Sequence, residues 1–321
     1  MTAAIELHHV TKRFGRRTAV EDLTLTVPIG EVFGLLGHNG AGKSTAIGMM
    51  LGQVWPTAGQ VRIHGWDVAT QRTRALARVG AIFETPAFYE YLSGLRNLEI
   101  FSSYTAPVSQ RRLAEVLDWV GLTGREHSAV RTYSHGMRAR LALAQALLPH
   151  PDLLILDEPG EGLDPEGVHE LRQMLQRLHR ELGLTLLISS HQLGEMEQLC
   201  TRIAVLRQGR KVFEGPWDRV QWAEGPIRLE ARPFERAVAG LQAVGLVLEA
   251  GRDAEGGWVR PAPGITPDQL ARWIVEAGFD LLELRRPRQT LEQFYLSLMR
   301  PDPQSDSRSD SREVTRRPAA T

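Results

Sequence analysis

A chain of 321 residues with 42% hydrophobic and 24% charged residues can bury a real core and suggests two domains, because single cores seldom grow beyond about 250–300 residues. Lys plus Arg and Asp plus Glu both number 38, so no global charge argues for nucleic acid or an acidic membrane surface. The lone cysteine, Cys200, excludes an internal disulfide and has no nearby Cys or His set at zinc spacing, which points to a cytosolic compartment. No stretch reaches the roughly 18 apolar residues of a membrane span, and the opening MTAAIELHHVTKRFG lacks the apolar core of a signal peptide. The chain is therefore expected not to cross a membrane.

In chain order, IELHHV (5–10) and LTLTV (23–27) read as short strands, and GEVFGLLG as a buried strand running into the glycine loop GHNGAGKST. A helix is expected from Ser44. QVRIHGWDV reads as a strand with a turn and RVGAIFE as another strand, while the apolar spacing from Ser109 to Val120 is helical. DLLILDEP and LTLLISSH are short, wholly apolar runs of the kind found in parallel strands covered on both faces. Between them PEGVHELRQMLQRLHRELG forms an amphipathic helix. This alternation predicts a mostly parallel α/β core through about Asp218.

Around QWAEGPIRL the pattern restarts as strand IRLEA, helix FERAVAGLQAVG, strands LVLEAG and GGWVRP, helix TPDQLARWIVEAG, strand DLLELRR and a closing helix TLEQFYLSLMR. The order βαββαβ plus a helix is the split-βαβ, ferredoxin-like arrangement. The expected division is residues 1–220, an accessory α+β domain over 225–300, and a tail over 301–321 whose serine-rich, polar composition predicts disorder.

Residues 37–45 match the P-loop pattern: Gly37, then His38, Asn39, Gly40 and Ala41, then Gly42, Lys43, Ser44 and Thr45. Glycines let backbone N–H groups curl around α- and β-phosphates, and the following helix offers its positive end. Lys43 is expected to bridge β- and γ-oxygens, Ser44 to ligate Mg²⁺, and Thr45 to cap the helix. The apolar strand LLILDEP ends in Asp157, placed to hold the metal through water, and Glu158, placed to polarise the attacking water as general base. His191 ends the strand LTLLISS, where an imidazole can hydrogen-bond a γ-phosphate at the sheet's carboxyl edge. Phe14 is an aromatic ahead of the loop that can stack on adenine or belong to a core.

In YSHGMRARLALAQALL (133–148), Ser134 is a good N-cap and Gly136 lets backbone N–H groups approach a ligand. The terminus favours an anion, but a helix dipole supplies only about 0.3–1 kcal/mol at an exposed site. It should therefore share an anion held elsewhere.

The P-loop, the Ser-x-Gly helix start, the Asp-Glu strand end, GLDP and the strand-end histidine, in this order, resemble the ATP-binding subunit of ABC transporters over residues 5–218. That resemblance implies a P-loop NTPase fold with a mostly parallel sheet and a helical subdomain, and ATP and Mg²⁺ as ligands. It implies that two subunits meet head to tail and sandwich each ATP between the P-loop of one and the signature helix of the other. Phe14 then resembles the adenine-stacking aromatic, Gly37 to Thr45 the Walker A loop, and Tyr133, Ser134, His135, Gly136 and Met137 the signature motif. Asp157 and Glu158 resemble Walker B and the catalytic base, Gly162, Leu163 and Asp164 the D-loop, and His191 the switch histidine. A homodimer with two competent sites is expected.

Two departures carry information. The signature is Tyr-Ser-His-Gly-Met in place of Leu-Ser-Gly-Gly-Gln, keeping the serine and second glycine that touch phosphate. Glu84 stands at the Q-loop glutamine, where an ionised carboxylate would contact magnesium directly. Both features resemble subunits that export bacitracin-like or lantibiotic peptides and other drugs through a separate multi-span membrane permease, with the ATPase bound peripherally to the cytoplasmic face of a bacterial membrane. Phe88, Tyr89, Tyr91 and Leu92 follow Glu84 and offer anchors for that permease, or pack within the helical subdomain. The alternatives are an importer subunit, and a soluble ABC ATPase acting on ribosomes or DNA; the neutral charge gives no nucleic-acid footprint.

Overall fold

The computed structural model describes residues 3–83, 86–104, 108–220, 226–254 and 256–299. The chain begins with β1 (Ala3–Phe14), β2 (Arg17–Pro28), β3 (Val32–Leu36), α1 (Lys43–Met50), β4 (Ala58–Ile63), β5 (Trp66–Asp67), α2 (Arg72–Leu76) and β6 (Val79–Ile82). Next come α3 (Gly94–Ser103), α4 (Gln110–Trp119), α5 (His135–Leu147), β7 (Leu153–Asp157), α6 (Pro165–Leu182), β8 (Thr185–Ser190), α7 (Leu193–Leu199), β9 (Arg202–Arg207), β10 (Arg210–Pro216) and α8 (Trp217–Val220). The last part holds β11 (Ile227–Arg232), α9 (Phe234–Ala243), β12 (Val247–Asp253), β13 (Gly256–Pro261), α10 (Pro267–Glu276), β14 (Asp280–Arg285) and α11 (Leu291–Met299).

A six-stranded sheet runs β10-β9-β3-β8-β7-β6, parallel throughout except for the antiparallel β9–β10 pair at its edge. The expected mostly parallel core is this sheet. The amino-terminal strands instead form a separate antiparallel sheet, β2-β1-β4-β5. β9 and β10 escape the sequence reading because Gln208 and Gly209 join them at φ 51° and 79°, a tight hairpin turn without the usual Asn-Gly or Asp-Gly signal. The short helices α3 and α7 were also unassigned in the sequence.

Side-chain alternation explains why the central strands are wholly apolar. Val32 and Leu36 of β3, Leu154 and Leu156 of β7, Leu186 and Ile188 of β8, and Ile203 and Val205 of β9 enter one core, shared with α4, α5, α6 and α7. Their neighbours Phe33, Leu35, Leu153, Ile155, Leu187, Ala204 and Leu206 enter a second core with α1 and the antiparallel sheet. Successive residues of a strand point to opposite faces, so a strand covered on both sides must be apolar at every position. A parallel sheet packed in this way aligns its strand ends along one edge.

The third sheet runs β12-β13-β11-β14 with every neighbouring pair antiparallel. α9 and α10 bury Phe234, Ala237, Leu241, Leu270 and Ile274 against it in a separate core. α11 follows this unit in the chain but buries Leu291 in the core beneath the parallel sheet. The predicted tail over 301–321 lies outside the described residues. No helix among the described residues is long and apolar enough to cross a membrane.

Candidate functional site

The order β3-β8-β7 places three carboxyl ends side by side: Leu36 leading into Gly37, Ser190 into His191, and Asp157 into Glu158. Open α/β sheets bind ligands at this edge. A cleft of about 320 Å³ opens there, lined by Asn39, Gly40, Gly42, Lys43, Ser44 and Thr45 on one side and by Glu158 and His191 on the other.

Two glycines are required by contact. A Cβ on Gly37 would sit 2.8 Å from both Ala41 Cβ and the Leu206 carbonyl oxygen. Gly42 lies at φ 106°, and its Cβ would meet the Ala19 carbonyl oxygen at 2.6 Å. The tight curl of the loop therefore tolerates no side chain at either position. α1 starts at Lys43, with Gly42 as N-cap, no capping side chain and no acidic residue in its first turn. This corrects the expectation that Thr45 caps the helix. Thr45 lies inside the first turn, so the α1 amino end keeps its positive potential for a ligand.

Lys43 is only 5% exposed. Its Nζ donates to the Gly37 carbonyl oxygen at 2.7 Å and lies 3.2 Å from Glu158 Oε1. His191 Nδ1 lies 2.7 Å from the other carboxylate oxygen, Glu158 Oε2. Glu158 is thus bridged between two candidate phosphate-binding groups. It sits in the left-handed region at φ 47°, uncommon for a non-glycine residue and frequent at functional sites. Its amide donates to Ser189 Oγ at 3.0 Å, and Ser189 Oγ in turn donates to Asp157 Oδ1. This buried serine orients both acids and went unread in the sequence, where it was one of two serines closing an apolar run.

Asp157 is 7% exposed and does not line the cleft. Ser44 lines the cleft. The Ser44 hydroxyl and the Asp157 carboxylate are hard oxygen donors suited to magnesium. Among the described residues no group of three His, Cys, Asp or Glu side chains could hold a metal ion. Two such oxygen donors suit an ion that keeps several waters and shares its ligands with phosphate oxygens, which is magnesium's habit. Glu84 lies outside the described residues.

The Ser134 helix start is built elsewhere. Ser134 is the N-cap of α5, its Oγ accepting from the Met137 amide at 3.2 Å. With His135, Gly136 and Met137 it lines a second cavity of about 480 Å³, closed by Gly162, Leu163 and Asp164. Asp164 is itself an N-cap, its Oδ1 accepting from the Gly167 amide at 2.9 Å. A Cβ on Gly162, at φ 76°, would lie 3.0 Å from His135 Nε2, so the two motifs pack closely. This cavity shares no lining residue with the first cleft.

Phe14 is 51% exposed at the end of β1, with Lys12 Nζ 4.8 Å from its ring centroid. It does not line the cleft, but its cross-strand partner Arg17 does. Arg17 and Glu161 are cleft residues that sequence reasoning missed. Arg17 stands among several arginines of RFGRR, and Glu161 comes three residues after Glu158 in a turn closed by the Glu161 amide donating to the Glu158 carbonyl oxygen at 3.0 Å. Of the aromatic anchors, Phe88 and Tyr89 pack on Phe101, with centroids 6.1 and 6.2 Å away, whereas Tyr91 is 72% exposed.

A family model described as ABC transporter matches residues 20–161. The chain is 47% identical over 212 residues to the uncharacterized ABC transporter ATP-binding protein YhcH of Bacillus subtilis (strain 168), covering 66% of this chain and 70% of that one. It is 33% identical over 306 residues to the bacitracin transport ATP-binding protein BcrA of Bacillus licheniformis, covering 93% of this chain and 98% of that one. Among solved structures, an ATP-binding subunit of an ABC transporter superposes with a TM-score of 0.60 at 31% identity, covering 68% of this chain and 92% of that one.

Proposed function

Because the chain belongs to the family of ABC transporter ATP-binding subunits, we propose that it hydrolyses ATP as a head-to-tail homodimer that powers export of a peptide antibiotic, drug or similar molecule through a separate membrane permease. The observation that carries this reading is the split of its phosphate-binding features between two cavities without a common residue. A second copy would bring its Ser134–Met137 helix start against the phosphates held on Lys43, and each helix end alone is too weak to do so.

In the free chain Lys43 and His191 both engage Glu158. Triphosphate oxygens would draw Lys43 away and free Oε1 to take a proton from the attacking water, while His191 keeps Oε2 in place. Ser44 and Asp157 would hold magnesium, which supplies neutralisation of phosphate charge. The charge-neutral Gly136, replaced by aspartate, would set a carboxylate against phosphate. Gly136→Asp is expected to lower ATP turnover on the order of 100-fold, the scale of a lost transition-state donor. Its affinity for the fluorescent nucleotide mant-ATP, measured on dilute chain, should stay within about twofold of wild type. A matching loss of binding would place both motifs in one site of one chain.

Export of a peptide or drug is supported by the near full-length similarity to a bacitracin transport protein and by the Ser-His-Gly-Met signature. The accessory unit over 225–300 and the exposed Tyr91 are proposed as contacts of regulation and of permease docking. The test is purification of tagged chain from its native cells in mild detergent. A multi-span membrane protein recovered in stoichiometric amount is the expected result; ribosomes or DNA in its place would move the ATP-driven clamp to a soluble task.

A further inference from the structure

Three basic side chains line the nucleotide cleft: Arg17, Lys43 and His191. Two of them are already engaged. Lys43 Nζ is shared between the Gly37 carbonyl oxygen and Glu158 Oε1, and His191 Nδ1 lies on Glu158 Oε2. The guanidinium of Arg17, by contrast, has no hydrogen bond or ion pair among the described residues, although a second carboxylate, Glu161, lines the same cleft.

The strand β2 puts Arg17 there. Alternate residues of a strand share a face, so Arg17 and Ala19 point together, and both line the cleft. Ala19 is fixed against the glycine loop: its carbonyl oxygen lies 2.6 Å from where a Cβ on Gly42 would sit and 2.7 Å from the same position on Gly209. The residues that follow are held as firmly, since Val20 is fully buried and the Glu21 amide donates to the Gly209 carbonyl oxygen at 2.8 Å. Two positions before Ala19, Arg17 Nη2 reaches the loop itself, 3.8 Å from the Cβ position of Gly40. Phosphate oxygens gathered by the loop amides would lie beside this cation, whose planar fork of donors matches them. Lys43 must give up a contact with Glu158 to meet phosphate, whereas Arg17 gives up only water.

We propose that Arg17 is a phosphate-binding residue of the cleft, the cation that meets an incoming triphosphate while Lys43 is still held by Glu158. The hairpin of β1 and β2 thereby supplies charge to the site as well as a wall. This inference rests on the ATP-binding reading of the cleft.

The test measures mant-ATP binding to the full chain at low and at high salt, with Arg17→Gln, Arg17→Lys and Arg16→Gln. The last removes the same charge one residue away, at a position that does not line the cleft. Arg17→Gln should raise the dissociation constant about tenfold at low salt, the lower end for a hydrogen bond to a charged group because Arg17 is exposed. Its difference from wild type should narrow at high salt, where an exposed charge is screened. Arg17→Lys should recover part of the affinity and keep the wild-type salt response, since it restores the charge without the fork. Arg16→Gln should stay within about twofold of wild type at both salts. If wild type binds mant-ATP and Arg17→Gln behaves as Arg16→Gln does, the assignment of Arg17 is overturned and the ATP reading stands. Failure of wild type to bind mant-ATP would remove both.

Discussion

Glu158→Gln should lower ATP turnover by about 10²–10⁴-fold, the usual contribution of a positioned general base, without weakening nucleotide binding. The amide is nearly isosteric with the carboxylate, so the turn at φ 47° and the Ser189 contact to its backbone are expected to persist. What disappears is the negative charge that can accept a proton from water. The same charge holds Lys43 at 3.2 Å in the free chain. Its removal leaves Lys43 a neutral amide oxygen in place of the carboxylate and freer to meet phosphate, so ATP affinity should hold or rise. A variant that binds and does not hydrolyse accumulates the closed state. The expected observation is a dimer on size-exclusion chromatography that appears with ATP and persists in Glu158→Gln, while wild type returns to monomer. Turnover at the wild-type rate would remove Glu158 from the role of base.

Lys43→Met should weaken mant-ATP binding about 10- to 100-fold, the range of about 1.5–3 kcal/mol that a hydrogen bond to a charged group contributes. Methionine has similar length and no charge, so the loop should keep its packing around Gly37 and Gly42. The half-buried partner left behind is Glu158, and it retains His191 Nδ1 at 2.7 Å. The stability loss should therefore be smaller than for a fully orphaned buried charge, which costs about 3–5 kcal/mol. Isothermal titration and thermal unfolding of the same preparation separate the two effects. A less than threefold change in affinity at unchanged stability would show that Lys43 serves Glu158 rather than phosphate.

Much of the parallel sheet was legible because burial on both faces forces continuous apolar runs, and DLLILDEP and LTLLISSH carry that signal in few residues. The caps Ser109, Ser134 and Asp164 were also within reach of local rules, since each acts on an amide only three residues away. Local rules fail where a partner is distant. Thr45 is a plausible capping residue by type, but the curl of the loop leaves Gly42 as the cap. Ser189 looks like an ordinary end to an apolar strand until β8 lies beside β7 and its hydroxyl reaches Asp157. Arg17 enters the cleft through the register of a hairpin that no spacing specifies.

By itself the sequence determined the chemistry: a glycine loop followed by lysine and serine, paired acids after an apolar strand, and a serine-glycine helix start, all of which depend on residue type and short spacing. Only the tertiary structure decided the company these groups keep. Strand order brings Lys43, Glu158 and His191 to one edge. Packing of α5 on the turn before α6 sends Ser134 and Gly136 to a different cavity. The closing helix returns past its own sheet to pack against β9, β10 and α7 of the first unit. The physical reason is that a cap or a turn is an interaction over a few residues, whereas a site assembled from strand ends depends on contacts between segments distant in the chain, such as Leu36 beside Ser190, which no local pattern encodes.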